Sequence, residues 1–152
     1  MSEFNATTGM TDMEDIEAVT FMQKAIPEDF NAALLIRNMI SWTATYDHIV
    51  DGDPWTNDQV HDMVQILLYE LPSNPFYKRN RDIYLTLIIN AIHAWRYAES
   101  RPEYRIKVAD ILSELGCAML LCSGGFHRLT EHGDKWREIA MNILNSSDRE
   151  GR

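Results

Sequence analysis

Cysteine is scarce in this sequence: Cys117 and Cys122 are the only two among 152 residues. Five residues apart on one helix, they lie on different sides and do not bridge easily. The pattern is that of reduced, buried thiols in an intracellular protein. Long apolar runs are missing too. None approaches the roughly 20 residues of a membrane-spanning helix, and the first residues lack a signal-peptide pattern. The expectation is a soluble, cytoplasmic protein with no membrane partner. Positive charge is in short supply, with 14 Lys and Arg against 23 Asp and Glu and a net charge of −9. That argues against nucleic acid as the main partner, because such binding runs on Lys and Arg. The local exception is Lys78, Arg79 and Arg81. Also lacking are alternating β-branched runs, hairpin signals, a P-loop, Rossmann glycines, a nucleophile elbow and paired metal-binding cysteines. No internal repeat or low-complexity block appears. Whether the chain is an enzyme stays open.

What is present is helical punctuation. The length suffices for one domain with a real core, and 45% hydrophobic with 24% charged residues is ordinary for a globular chain. Residues 1–12 read as a flexible N-terminal segment, 13–146 as a helical domain and 147–152 as a flexible tail. Thr11 and Glu14 have capping-box spacing before a helix ending near Lys24. Pro27 opens a second helix, and Gly52 ends it. Thr56 or Asn57 caps a third, near Asp58 to Leu71, whose Val60, Met63, Val64, Leu67, Leu68 and Leu71 form an apolar face. Asn74 is a natural N-cap and Pro75 a natural first residue for a fourth helix to Glu99. Its apolar line is Ile83, Leu87, Ala91, Ala94 and Ala98, and its opposite line is Arg79, Asp82, Thr86, Asn90, His93 and Tyr97. Pro102 opens a fifth helix, Gly124-Gly125 breaks it, and Asp134 caps a sixth near Lys135 to Asn145. His127 and His132, between the last two, read as exposed. The fold expected is all-α: a single bundle of about six helices around a buried central helix.

That central helix lies in the stretch Phe30 to Asp53. Phe30, Ala33, Leu34, Leu35, Ile36, Met39, Ile40 and Trp42 make it apolar on nearly every side, the mark of a buried helix. It then ends in acids. Asp47 and Asp51 share one face four residues apart, with Asp53 just beyond. Carboxylates in a last turn oppose the helix dipole and repel each other. A divalent cation reverses both effects, and Mg²⁺ takes one or two carboxylates together with phosphate oxygens. The sharp reading makes Asp47, Asp51 and Asp53 metal ligands for Mg²⁺, with Arg37, Arg79, Arg81, Asn90 and His93 as ligand-binding residues for a phosphorylated small molecule or nucleotide. The plain reading makes the acids the solvated or ion-paired end of a long helix.

Several segments resemble known families. Asp47-His48-x-x-Asp51 resembles the Asp-rich helix motif of isoprenoid synthases, with His48 where the second acid stands. The second motif of that family has its nearest counterpart in Asn90, Ala94 and Glu99, without the hydroxyl. His61-Asp62 resembles the doublet of HD phosphohydrolases, which would need His48 and Asp110 as further ligands. A broader resemblance covers Ile40 to His127. The succession DxxxDGD (Asp47 to Asp53), LPxNPFY (Leu71 to Tyr77), the Ala91, Ala94 and Trp95 helix, and Gly124-Gly125 is similar to small helical proteins encoded by tailed bacteriophages. It implies a phage origin, a host cytoplasm and little about mechanism.

Two function classes follow. One is a small acidic binding protein that docks on or sequesters a host target, a protein or a small ligand. The other is a Mg²⁺-dependent phosphate- or nucleotide-binding or hydrolysing protein built on the acidic end of the central helix. A structural role in a virion is a third reading. A homo-oligomer is left open, since a spare apolar face on the central helix could be filled by a second copy.

Overall fold

The computed structural model describes residues 13–101, 103 and 111–150, and every element in them is helical or a turn, with no strand among the described residues. The order is α1 (Met13–Ala25), α2 (Phe30–Asp51), α3 (Asn57–Gln65), a π-helical turn (Ile66–Glu70), α4 (Leu71–Ser73), α5 (Pro75–Arg79), α6 (Arg81–Glu99) and α7 (Ile111–Glu150). The fold is all-α. The described residues cluster into two compact units, one ending at Arg79 and the other beginning at Asn80. Thr11 and the rest of residues 1–12, expected from the sequence to be flexible, lie outside the described residues, as do Pro102 and residues 151–152.

In the first unit α2 is the hub, with α1, α3, the π turn and α5 all packed on it. Met39, Ile40, Ser41, Trp42 and Thr43 are consecutive and buried. Five residues exceed one helical turn, so no side of α2 meets water there. Two hydroxyls buried in or just after that stretch bond to the helix itself: Thr43 donates to the Met39 carbonyl at 2.6 Å and Thr45 to that of Ser41 at 3.3 Å. The central-helix expectation holds, with two corrections. Phe30 is exposed, because it is the first residue of the helix. The N-cap is Asp29 rather than the neighbourhood of Pro27, since the Asp29 carboxylate accepts from the Asn31 N–H at 3.0 Å.

The start of α2 is also tied to α5. Asn74 accepts from the Phe76 and Tyr77 N–H groups at 2.8 and 3.1 Å, capping α5, and donates to the Asn31 carbonyl at 3.0 Å. Arg79 lies over the Phe76 ring at 5.4 Å and forms a charged hydrogen bond with Asp29. Burial works against the charge on Asp29, but Arg79 and the Asn31 N–H outweigh it and hold the carboxyl below its ordinary value. A carboxyl depressed in the fold stabilises it above the unfolded pKa near ~3.9, and that contribution is lost as pH falls through the folded value. Arg79→Ala is therefore expected to cost about 1 kcal/mol or less at neutral pH. The difference between variant and parent in urea midpoint should shrink by about pH 2.5, where the unfolded carboxyls are protonated. A pH-independent difference would assign the loss to the Phe76 contact alone.

The third helix departs most from its sequence pattern. Thr56 caps it with a full capping box to Gln59, but none of its residues to Gln65 is buried. The buried side chains are Ile66 and Leu71. They are five apart, and the Leu71 N–H bonds to the Ile66 carbonyl across the π turn. The extra residue of a π turn puts i and i+5, not i+4, on one face. Val64 and Leu68, expected inward, are exposed as a result.

In the second unit α6 packs on α7. Asn80 interrupts what the sequence suggests is one helix from Phe76 to Glu99. The buried seam of α6 runs through Tyr84 and Ile88, while Ile83 is exposed. The opposite line of Thr86, Asn90, His93 and Tyr97 faces water.

Helix α7 reverses on itself at Gly125, whose φ of 75° and ψ of −172° are non-helical in a region open essentially to glycine alone. The Trp136 indole N–H donates to the Leu112 carbonyl at 2.9 Å, and Arg137 pairs with Glu114 at 2.9 Å. In a straight helix, residues 112 and 136 would lie about 36 Å apart. The two arms are thus an antiparallel hairpin. Leu112, Leu115, Met119, Trp136, Ile139 and Ala140 form its buried seam. Arg128 donates to the Ser123 hydroxyl at 3.1 Å across the turn. Helix resumes directly after Gly125, so Asp134 is not a cap. His127 is exposed, but His132 is half-buried. The helix runs to Glu150, past the Asn145 expected.

Candidate functional site

The acidic end of α2 is built by burial running out. Thr45 is the last buried residue of the helix. Asp47 is half-buried and Asp51 exposed. Gly52, at φ 77° and ψ 15°, ends the helix with its N–H on the Ile49 carbonyl at 3.3 Å, and the Asp53 N–H reaches the His48 carbonyl at 2.9 Å. The His48 Nδ1 lies 3.7 Å from an Asp53 carboxylate oxygen. Asp53 therefore folds back over the last turn, beside the one imidazole there.

Within the first unit, the cationic residues expected to share a phosphate site with these acids lie elsewhere along α2. Among the described residues, no group of three or more His, Cys, Asp and Glu side chains is placed to hold a metal ion. Arg37 is ten residues before Asp47 on α2, about 15 Å along the axis. It is half-buried with Glu70 close enough for charge attraction, and burial holds its pKa below the ordinary value against that attraction. Arg79 is engaged with Asp29 at the start of α2, some 33 Å along the helix axis from Asp51. Arg81, Asn90 and His93 belong to the second unit and are exposed, Arg81 lying 3.4 Å from Asp82. In the HD-like doublet, His61 is exposed and Asp62 half-buried on α3, and Asp110 lies outside the described residues. Cys117 and Cys122 are both free thiols.

A different surface emerges on the same unit. Leu68 is 76% exposed, Tyr69 63% and Val64 44%, and Trp55 in the turn before α3 is also exposed. Apolar residues one helical turn apart, turned to water, are the kind of feature that marks an interaction surface. Sequence periodicity assigned Val64 and Leu68 to the core. Nothing in the periodicity separates them from core; the segment that carries them, from Asn38 to Tyr77, has no Lys or Arg against six acids. No helix of the described residues is long and apolar enough to cross a membrane. No protein family, curated protein or solved structure was found to match this chain.

Proposed function

We propose that this chain is a small acidic binding protein that acts by docking on a protein partner and carries out no chemistry of its own. The observation that carries this reading is the exposed apolar face of Val64, Leu68 and Tyr69 within a segment free of positive charge. Such a face is expensive to leave in water and is suited to being covered. The resemblance to phage-encoded helical proteins makes a component of the host cytoplasm the natural target.

Thermal melting with millimolar Mg²⁺ or Mn²⁺, alone and with a panel of nucleotides and diphosphate, separates this reading from a metal–phosphate site. A ligand bound only by the folded state raises stability by mass action, about 2.7 kcal/mol at a hundredfold excess over its Kd. No shift is expected with any of them. A rise in Tm that disappears in Asp51→Ala would replace the binding reading with a metal–phosphate site at the end of α2. The immobilised chain is also expected to retain a lysate protein that salt releases.

A further inference from the structure

Helix α7 is two arms joined by a single residue. Gly125 alone leaves helical geometry inside it, whereas connections between packed helices usually take about 2–8 residues. The apolar pattern ignores that break. In the second arm Phe126, Leu129, Gly133, Trp136, Ala140 and Ile143 follow one another at alternating steps of three and four, with mostly polar and charged residues between them. The same alternation continued backwards from Phe126 gives Cys122, Met119, Leu115 and Leu112 in the first arm. One seven-residue phase thus runs unbroken through Gly125 for more than four heptads. That is the pattern of one straight helix in a coiled coil.

In the hairpin the two arms cover this seam for each other, except at the turn. Trp136 bonds to the Leu112 carbonyl. Antiparallel arms in that register set Leu115 opposite Gly133, Met119 opposite Leu129 and Cys122 opposite Phe126. The layers away from the turn are closed: Leu115, Met119 and Gly133 are buried and Leu129 is half-buried. The last layer is not. Phe126 is 75% exposed, the most exposed large apolar side chain described in α7, because the chain has to reverse between it and Cys122.

We infer that α7 opens at Gly125 into one straight helix and exchanges its second arm with a second copy of this chain. The pattern selects the occupant, since another copy carries the same seam in the same register. In the exchanged dimer each second arm lies on the first arm of the other chain. The Trp136–Leu112 hydrogen bond and the Arg137–Glu114 pair are then remade between chains. The two hinge segments run side by side, and each Phe126 is covered by Cys122 of the second copy. The exchange gains that layer and a helical residue at 125, and it is opposed by the lost freedom of two chains. Dilute chains therefore stay closed and concentrated ones exchange. The inference stands independently of the docking reading above.

The test is the mass of the full chain in solution, by size-exclusion chromatography with light scattering. The parent, unfolded in urea and refolded at high concentration, is expected to give a dimer that outlasts dilution, because its return to monomer requires the arms to unpack. Gly125→Ala should raise the dimer association constant about a hundredfold, about tenfold from each chain, since alanine is disfavoured at φ 75° and ψ −172° and favoured in a helix. Three glycines inserted after Gly125 relax the hinge and should leave the chain monomeric under the same refolding. Phe126→Ser should lower the dimer fraction, and its exposure in the monomer keeps folding out of the result. Parent and Gly125→Ala chains that both stay monomeric would overturn the inference. So would a dimer that forms equally with the glycine insertion or dissociates at once on dilution, which is contact between closed surfaces. If Gly125→Ala does not fold, the refolded parent against the insertion decides.

Discussion

Replacing Trp136 with alanine is expected to destabilise the second unit by about 3–5 kcal/mol, the range for truncating a fully buried tryptophan. Trp136 is 0% exposed, and its indole N–H donates to the Leu112 carbonyl on the opposite arm of α7. The approach is possible because residue 116 has no side chain: a Cβ there would lie 2.0 Å from Trp136 Nε1 and 2.2 Å from its Cε2. Gly116→Ala should therefore also be destabilising. Glycine to alanine inside a helix ordinarily gains about 1 kcal/mol, but overpacking of this kind costs about 1–3 kcal/mol, and the displaced indole also loses its hydrogen bond. Urea denaturation followed by far-UV circular dichroism measures both variants. Trp95 remains as a probe of the second unit when Trp136 is removed, while Trp42 and Trp55 report the first. A Gly116→Ala chain as stable as its parent would mean that the two arms are not held at this distance.

Asn74→Ala is expected to cost about 2–3 kcal/mol, as the sum of a lost helix cap and a lost hydrogen bond to a partly buried carbonyl. The side chain works in two directions at once. Its Oδ1 accepts from Phe76 and Tyr77, and its Nδ2 reaches Asn31 on α2. At 6% exposure no water stands ready to replace it. Asn74→Asp separates the two roles, since the carboxylate still caps α5 but meets the Asn31 carbonyl oxygen without a proton. It should fall between the parent and Asn74→Ala at neutral pH and recover part of the difference in acid, where it is protonated. Chemical denaturation across pH reads this directly, and an Asn74→Ala loss below about 0.5 kcal/mol, within the range of ordinary surface changes, would rule out the link.

The helical fold was legible because its punctuation is local. Thr56, Gly52 and the Asn74-Pro75 pair act through their own backbones and neighbours, so the residues that cap or stop a helix announce it. The buried centre of α2 was legible for a related reason, since residues apolar on every side leave no face for water. The face of α3 was not, because a π turn adds a residue to the repeat and moves burial from Leu67 and Leu68 to Ile66. Periodicity counts in steps of 3.6 and cannot see the extra step. The candidate site suffered from distance. Arg37, Arg79, Asp47 and Asp51 share the right chemistry, but α2 is a rod of 22 residues with Asp29 and Arg79 at one end and Asp51 at the other. Charge types can be read from letters, whereas the length of helix between them must be laid out in space. The close packing of Trp136 on Gly116 was hidden in the same way, since nothing local marks a glycine that makes room for a residue twenty positions on.

In the language of insertions and deletions, the π turn is a place where the length of the chain and the continuity of the helix come apart. Ile66–Glu70 holds one residue more than an α-helix needs there. Losing that residue would leave an unbroken helix. It would also rotate everything after it by about 100° about the axis, carrying Leu71 off the core and Asn74 away from Asn31. The surplus residue is thus what joins two registers: the one that leaves Val64 and Leu68 exposed, and the one that anchors the start of the central helix.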